Sequence, residues 1–157
     1  HRRTDPGDTH RYYVDREPAV SDVYIQTSTS GSDAWRTVAV GGLGVGGRGM
    51  YALDITDPTQ FTQTATNAAN VVLWEFTSAD DAELGHTVGE PIIAMMNNGE
   101  WAAIFSSGYN DLGSDPEAHL FIVFLEGGLD GTWTEGTDYV KIATASGALA
   151  ADPNGLS

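Results

Sequence analysis

Asp111, Asp115 and Glu117 place three carboxylates in one polar loop, and Asp80, Asp81 and Glu83 place three more in another. Carboxylate oxygens at this density suit calcium, which takes about six to eight oxygen ligands. Neither group has the alternating spacing of an EF-hand loop, so both are expected to be solvated acidic turns. Asp111, Asp115 and Glu117 are kept as calcium candidates, and no metal ligand is assigned. The four histidines, His1, His10, His86 and His119, are scattered without the H-E-x-x-H spacing of a metal-binding helix. They read as surface or loop residues. No G-x-S-x-G elbow offers a serine nucleophile. With no cysteine, neither a disulfide framework nor a thiolate metal site can form. No catalytic or cofactor-binding residue is assigned, and the chain reads as a non-enzyme.

Gly44-Val-Gly-Gly-Arg-Gly49 spells G-x-G-x-x-G after a run of strand-forming residues. That motif binds a dinucleotide only where its last glycine opens a helix. Met50–Ile55 follows instead and reads as a strand, and Pro58 arrives too soon for a crossover helix. No acidic residue stands at the ribose-binding distance of about 20 positions. The loop, with glycines at 41, 42, 44, 46, 47 and 49, is expected to join two strands of a hairpin.

Four tryptophans, at 35, 74, 101 and 133, raise a different chemistry, the stacking of sugar rings. Three of them fall at strand or repeat-equivalent positions, where packing between sheets is the commoner role of an indole. A lectin-like module stays open as an alternative.

The 157-residue chain carries 22 acids against 7 bases, a net charge of −15, with Lys141 its only lysine. A field of that sign repels nucleic acid and anionic lipid surfaces, so neither is expected as a partner. The longest apolar run, Leu120–Leu125, is far too short to span a bilayer, so no membrane insertion is expected. The polar start, His1 to Asp8, shows no signal peptide, as a mature or truncated chain would.

The elements that position these residues are short strands. Strand patterns cover Val20–Gln26, Trp35–Val40, Met50–Ile55, Val71–Phe76, Pro91–Met96, Trp101–Ser106, Leu120–Leu125 and Tyr139–Ala143, and Tyr12-Tyr13-Val14 is a weaker ninth. Val72, Trp74 and Phe76 are expected on one face, and Leu120–Leu125 reads as a strand covered on both. Phe61–Asn70 has room for one helical turn. Asn98-Gly99 predicts a tight hairpin turn with positive φ at both residues.

A repeat organises the strands. Glu17-Pro18 recurs as Glu90-Pro91, and Trp35-Arg-Thr-Val-Ala-Val-Gly-Gly recurs as Trp101-Ala-Ala-Ile-Phe-Ser-Ser-Gly. Each copy holds about four strands, giving blade-like units over about 17–89 and 90–157 behind a lead-in segment 1–16. Four antiparallel strands repeated about an axis are the blades of a β-propeller. The fold expected is all-β: two such blades, part of a larger ring, with a closed sandwich as the alternative.

Several stretches resemble the PilC/PilY family of type IV pilus proteins. They include His10–Asp15, Pro18–Tyr24, Trp35–Leu43, Gly47–Pro58, Leu73–Thr77, Asp80–Gly85, Pro91–Trp101 and Leu120–Val123. The resemblance implies a quinoprotein-like propeller segment, noncatalytic and extracellular, at the cell surface or pilus tip. It implies roles in pilus biogenesis and adhesion through contacts with pilus proteins or a host or environmental surface. Further propeller blades, from the same longer chain or from other copies, are expected as partners. Calcium is the one cofactor the resemblance admits, and the family's Asp-rich loop is expected beyond Ser157. Loops 41–49, 107–119 and 126–138 are expected to project as contact surfaces. Because quinoprotein dehydrogenases share the propeller, a fragment of a pyrroloquinoline-quinone enzyme is a further alternative.

Overall fold

The computed structural model describes residues 11–109 and 117–145. Strands β1 (Ala19–Ile25), β2 (Ala34–Gly42), β3 (Gly49–Asp54) and β4 (Val72–Thr77) form one antiparallel sheet in chain order. Strands β5 (Ile92–Met95), β6 (Trp101–Ser106), β7 (His119–Phe124) and β8 (Tyr139–Ala143) form a second, with the same order and no crossover. The architecture is the expected pair of four-stranded antiparallel blades. Tyr12, Tyr13 and Val14 form no strand and are exposed.

Alternation decides which face of each sheet is buried. In β1, Val23 and Ile25 are buried while Tyr24 between them is exposed. Across the first sheet the inward row continues through Val38, Val40, Met50, Ala52, Trp74 and Phe76. The second sheet answers with Ala103, Phe105, Phe121, Val123 and Tyr139. The two sheets thus close on one core, face to face.

Four departures from the sequence reading have local causes. The β3–β4 register shifts between Ala52 and Leu53, so Trp74 pairs with Ala52 but Val72 pairs with Leu53. The extra residue, Leu73, turns inward beside Trp74, and Val72 is left exposed, off the face of Trp74 and Phe76. Residues 119, 121, 123 and 125 are fully buried while 120, 122 and 124 are half-buried, so β7 is covered on one face rather than both. A helix, α1 (Ala65–Val71), takes seven residues and not a single turn, because the Thr64 hydroxyl caps the Asn67 amide at 3.2 Å. At Asn97–Gly99 only the glycine has positive φ: Gly99 N donates to Met96 O at 2.9 Å, a type I turn followed by a left-handed glycine.

The glycine loop joins β2 to β3 through a short 3₁₀ turn at Gly44–Gly46, and Gly49 opens a strand, not a helix. Its glycines serve close backbone approach. A Cβ on Gly46 would lie 1.6 Å from the Tyr13 carbonyl oxygen, so residues of the lead-in segment rest directly on this loop.

Phe76 lies at the centre of the shared core, touching rings from both β6 and β7. Phe76→Ala should therefore destabilise the fold by about 3–5 kcal/mol, read from urea denaturation, whereas exposed Val72→Ala should cost well under about 1 kcal/mol.

Candidate functional site

The core between the sheets is aromatic. Phe76 meets Phe121 edge-on at 5.7 Å and Trp133 edge-on at 5.0 Å, and Tyr139 lies tilted against it at 5.0 Å. Phe105 stacks on Phe121 at 5.7 Å with an interplanar angle of 13°. Such pairs add about 0.5–1.5 kcal/mol each beyond the area they bury.

Two indoles lock the sheets together in opposite senses. Trp74 of β4 donates from Nε1 to the Leu125 carbonyl beyond β7 at 3.0 Å. Trp133, in the loop before β8, donates back to the Glu75 carbonyl of β4 at 3.0 Å. Each bond gives a backbone carbonyl a partner from the other sheet. Trp101 also packs against the core, whereas Trp35 is 64% exposed, with the Tyr24 ring edge-on to it at a centroid distance of 5.7 Å.

The connector from β4 to β5 supplies a polar tie. Asp81 is buried and accepts from Tyr139 Oη at 2.9 Å and from Lys141 Nζ at 3.0 and 2.9 Å. Asp81 Oδ1 also accepts from the Glu83 amide at 3.0 Å. Burial and the bond to Asp81 hold the Tyr139 hydroxyl well above the ordinary tyrosine value of 10.0. Farther along, Thr87 Oγ1 donates to Gly49 O at 2.9 Å, and His86 Nδ1 lies 3.2 Å from Gly44 O. His86 also bridges to Tyr109, which stitches the connector to the end of β6.

This arrangement holds sheets in place, and the residues singled out for chemistry are not gathered by it. Asp111 and Asp115 lie outside the described residues, as do His1 and His10. Glu117 is half-buried just before β7. Among the described residues no three His, Asp or Glu side chains stand close enough to share a metal ion. His119 is not a surface residue: it opens β7 and is 3% exposed, its amide donating to Ser107 Oγ at 3.1 Å. Asp81, expected in a solvated turn, is buried against Lys141. No sequence motif announces that pair, since its members are 60 positions apart. The usable signal was composition, a lone lysine in an acidic chain.

Two of the loops expected to project are tied down. Trp133 turns loop 126–138 back into the core, where a Cβ on Gly128 would meet its ring at 2.3 Å. The glycine loop lies under Tyr13 and Asp15. Part of loop 107–119 lies outside the described residues.

The surfaces that stay open are the outer faces of the sheets. On the first, cross-strand pairs set Tyr24 beside Trp35 and align Val20, Ala39, Leu53 and Val72. On the second, Ile92, Ile104, Ile122 and Val140 form one row, flanked by Leu120 and Ile142. A closed two-sheet sandwich directs polar residues outward; here both outer faces are largely apolar.

Among the described residues no helix is long and apolar enough to cross a membrane. The profile of the PilY1 beta-propeller domain matches residues 2–157. A type IV pilus biogenesis factor PilY1 homolog of Xylella fastidiosa is 47% identical over 119 residues, covering 76% of this chain and 7% of that protein. PilY1 of Pseudomonas aeruginosa strain PAK is 34% identical over 152 residues, covering 96% of this chain and 11% of the relative. The crystal structure of the P. aeruginosa PilY1 C-terminal domain superposes with a TM-score of 0.62 at 33% identity, covering 92% of this chain and 24% of that one.

Two measurements probe the polar tie. Lys141→Met leaves the Asp81 carboxylate buried without its counter-charge and should cost about 3 kcal/mol in denaturant unfolding. Because the folded chain keeps the Tyr139 proton while the unfolded chain releases it near pH 10, stability should be full below about pH 10 and fall above it. The stability difference between the parent chain and Tyr139→Phe should shrink as pH rises from 9 to 11. The apolar outer faces, the repeated four-stranded sheets and the profile spanning nearly all of its length make this chain a member of the PilY1 β-propeller family.

Proposed function

We propose that this chain is a noncatalytic propeller segment of a type IV pilus biogenesis protein, working outside the cell at its surface or the pilus tip. The observation that carries the reading is the match of residues 2–157 to the PilY1 propeller, with relatives named as pilus biogenesis factors. The chain spans only 7–11% of those relatives, so it contributes one part of a larger object.

The physical contribution of such a part is rigidity. Two sheets locked by an aromatic core, two indole bonds and a buried ion pair do not flex independently. They can hold neighbouring surfaces at fixed angles while those surfaces bind pilus proteins or a substratum.

A chimera tests the reading. The matching segment of P. aeruginosa PilY1 is replaced by this chain in a strain whose own copy is deleted, and sheared surface pili and twitching are scored. Pili and twitching within a few-fold of wild type are expected. A stable, exported chimera that yields no pili would overturn the proposal. So would a quinone absorbance band in the purified chain after incubation with pyrroloquinoline quinone and calcium, which would return it to the dehydrogenases.

A further inference from the structure

The tie between the connector and β8 also holds the reactants of a covalent bond. Lys141, the only lysine in the chain, has its Nζ 3.0 Å from Asp81 Oδ1 and 2.9 Å from Oδ2. A nitrogen held evenly between two carboxylate oxygens faces the carbon that joins them. Well-oriented pairs of this kind react with effective molarities of up to about 10⁵–10⁸ M. Each oxygen has a further donor of its own: the Glu83 amide on Oδ1 at 3.0 Å and Tyr139 Oη on Oδ2 at 2.9 Å. The side chains of Lys141 and Asp81 are 19% and 4% exposed, and Lys141 stands opposite the fully buried Phe121 in the β7–β8 pairing. Little water reaches the pair, and holding two charges there returns little beyond their desolvation. An amide between the same atoms carries no charge.

We propose that Asp81 and Lys141 condense to an isopeptide bond in the folded chain, without any co-reactant. A first proton passes from Nζ to Oδ2, leaving a neutral amine beside a neutral acid. The Nζ lone pair then attacks Cγ, and the carbonyl electrons move to Oδ1, where the Glu83 amide stabilises the oxyanion. Tyr139 hands its proton to Oδ2 and recovers one from Nζ, so it begins and ends the step protonated, the form that burial and Asp81 favour. The Cγ–Oδ2 bond breaks, the carbonyl re-forms at Oδ1, and Oδ2 leaves as water. Of its three hydrogens Nζ keeps one, and the ion pair becomes a neutral amide. The bond bridges 60 positions, from the connector after β4 to β8. A staple at that point holds the second sheet to the first in acid or high salt, where an ion pair weakens. The geometry of the tie, and not the pilus reading, carries this inference, so either can fail without the other.

Intact-mass spectrometry on the full 157-residue chain tests it. After incubation in the folded state, most of the parent should be lighter than its sequence by one water. Cleavage at glutamate separates residues 76–83 from residues 136–157, and the two peptides should emerge joined through Asp81 and Lys141. Lys141→Arg keeps a positive charge opposite Asp81 but lacks the amine, so it should retain its full mass while folding normally by circular dichroism. If that variant misfolds, the joined peptide of the parent decides the matter alone. A folded parent of full sequence mass would overturn the inference. So would a missing water that persists in folded Lys141→Arg, or one that tandem spectra place at other residues.

Discussion

The packing of Phe76 between the two sheets is the contact on which the rest of the structure depends. A lone four-stranded sheet with apolar residues on both faces leaves all of that surface in water, at a cost of about 25 cal/mol per Å². Phe76 reaches Phe105, Phe121, Trp133 and Tyr139, and so converts two such sheets into one dry layer. Around that layer the reciprocal indole bonds of Trp74 and Trp133 fix the register of one sheet on the other. The Asp81–Lys141 pair fixes the path of the connector. These polar ties contribute more to uniqueness than to depth of the energy well, since a buried ion pair returns little beyond its own desolvation.

Solving the burial problem for one face of each sheet leaves the other faces unsolved. That is the difference between this chain and a sandwich of the same size. The rows Val20–Ala39–Leu53–Val72 and Ile92–Ile104–Ile122–Val140 are the kind of face that a repeated architecture buries against its next unit. Membership of the PilY1 propeller family accounts for them, because each blade of a propeller packs its faces against neighbouring blades.

Much of this architecture was legible in the residues. Alternation at Val20–Ile25, the Trp35 and Trp101 repeat and the eight short apolar runs led to two antiparallel sheets in chain order. The glycine loop was separable from a nucleotide site because a strand, not a helix, follows Gly49. What could not be read were effects that cross between strands. The bulge at Leu73 exchanges the faces of Val72 and Leu73 through a register shift that β4 alone does not encode. The fate of Trp35 depends on whether a neighbouring sheet is present, which the residues of its own strand do not encode. His119 looked like a loop residue because it ends a polar stretch, yet its alternation with Phe121 and Val123 assigns it to the buried side. The candidate site moved from loops to sheet faces for the same reason: loop composition cannot show that Trp133 folds back.

The outer faces also sit on a strongly anionic body, with a net charge of −15. Any approach of two like-charged sheets across these aliphatic rows is opposed by a repulsion that mobile ions attenuate over about 8–10 Å at physiological ionic strength. Apolar contact gains as electrolyte rises, while repulsion weakens, so both effects favour cohesion in brine and separation in fresh water. Salinity would then regulate this surface in the direction opposite to that of a partner held by charge attraction.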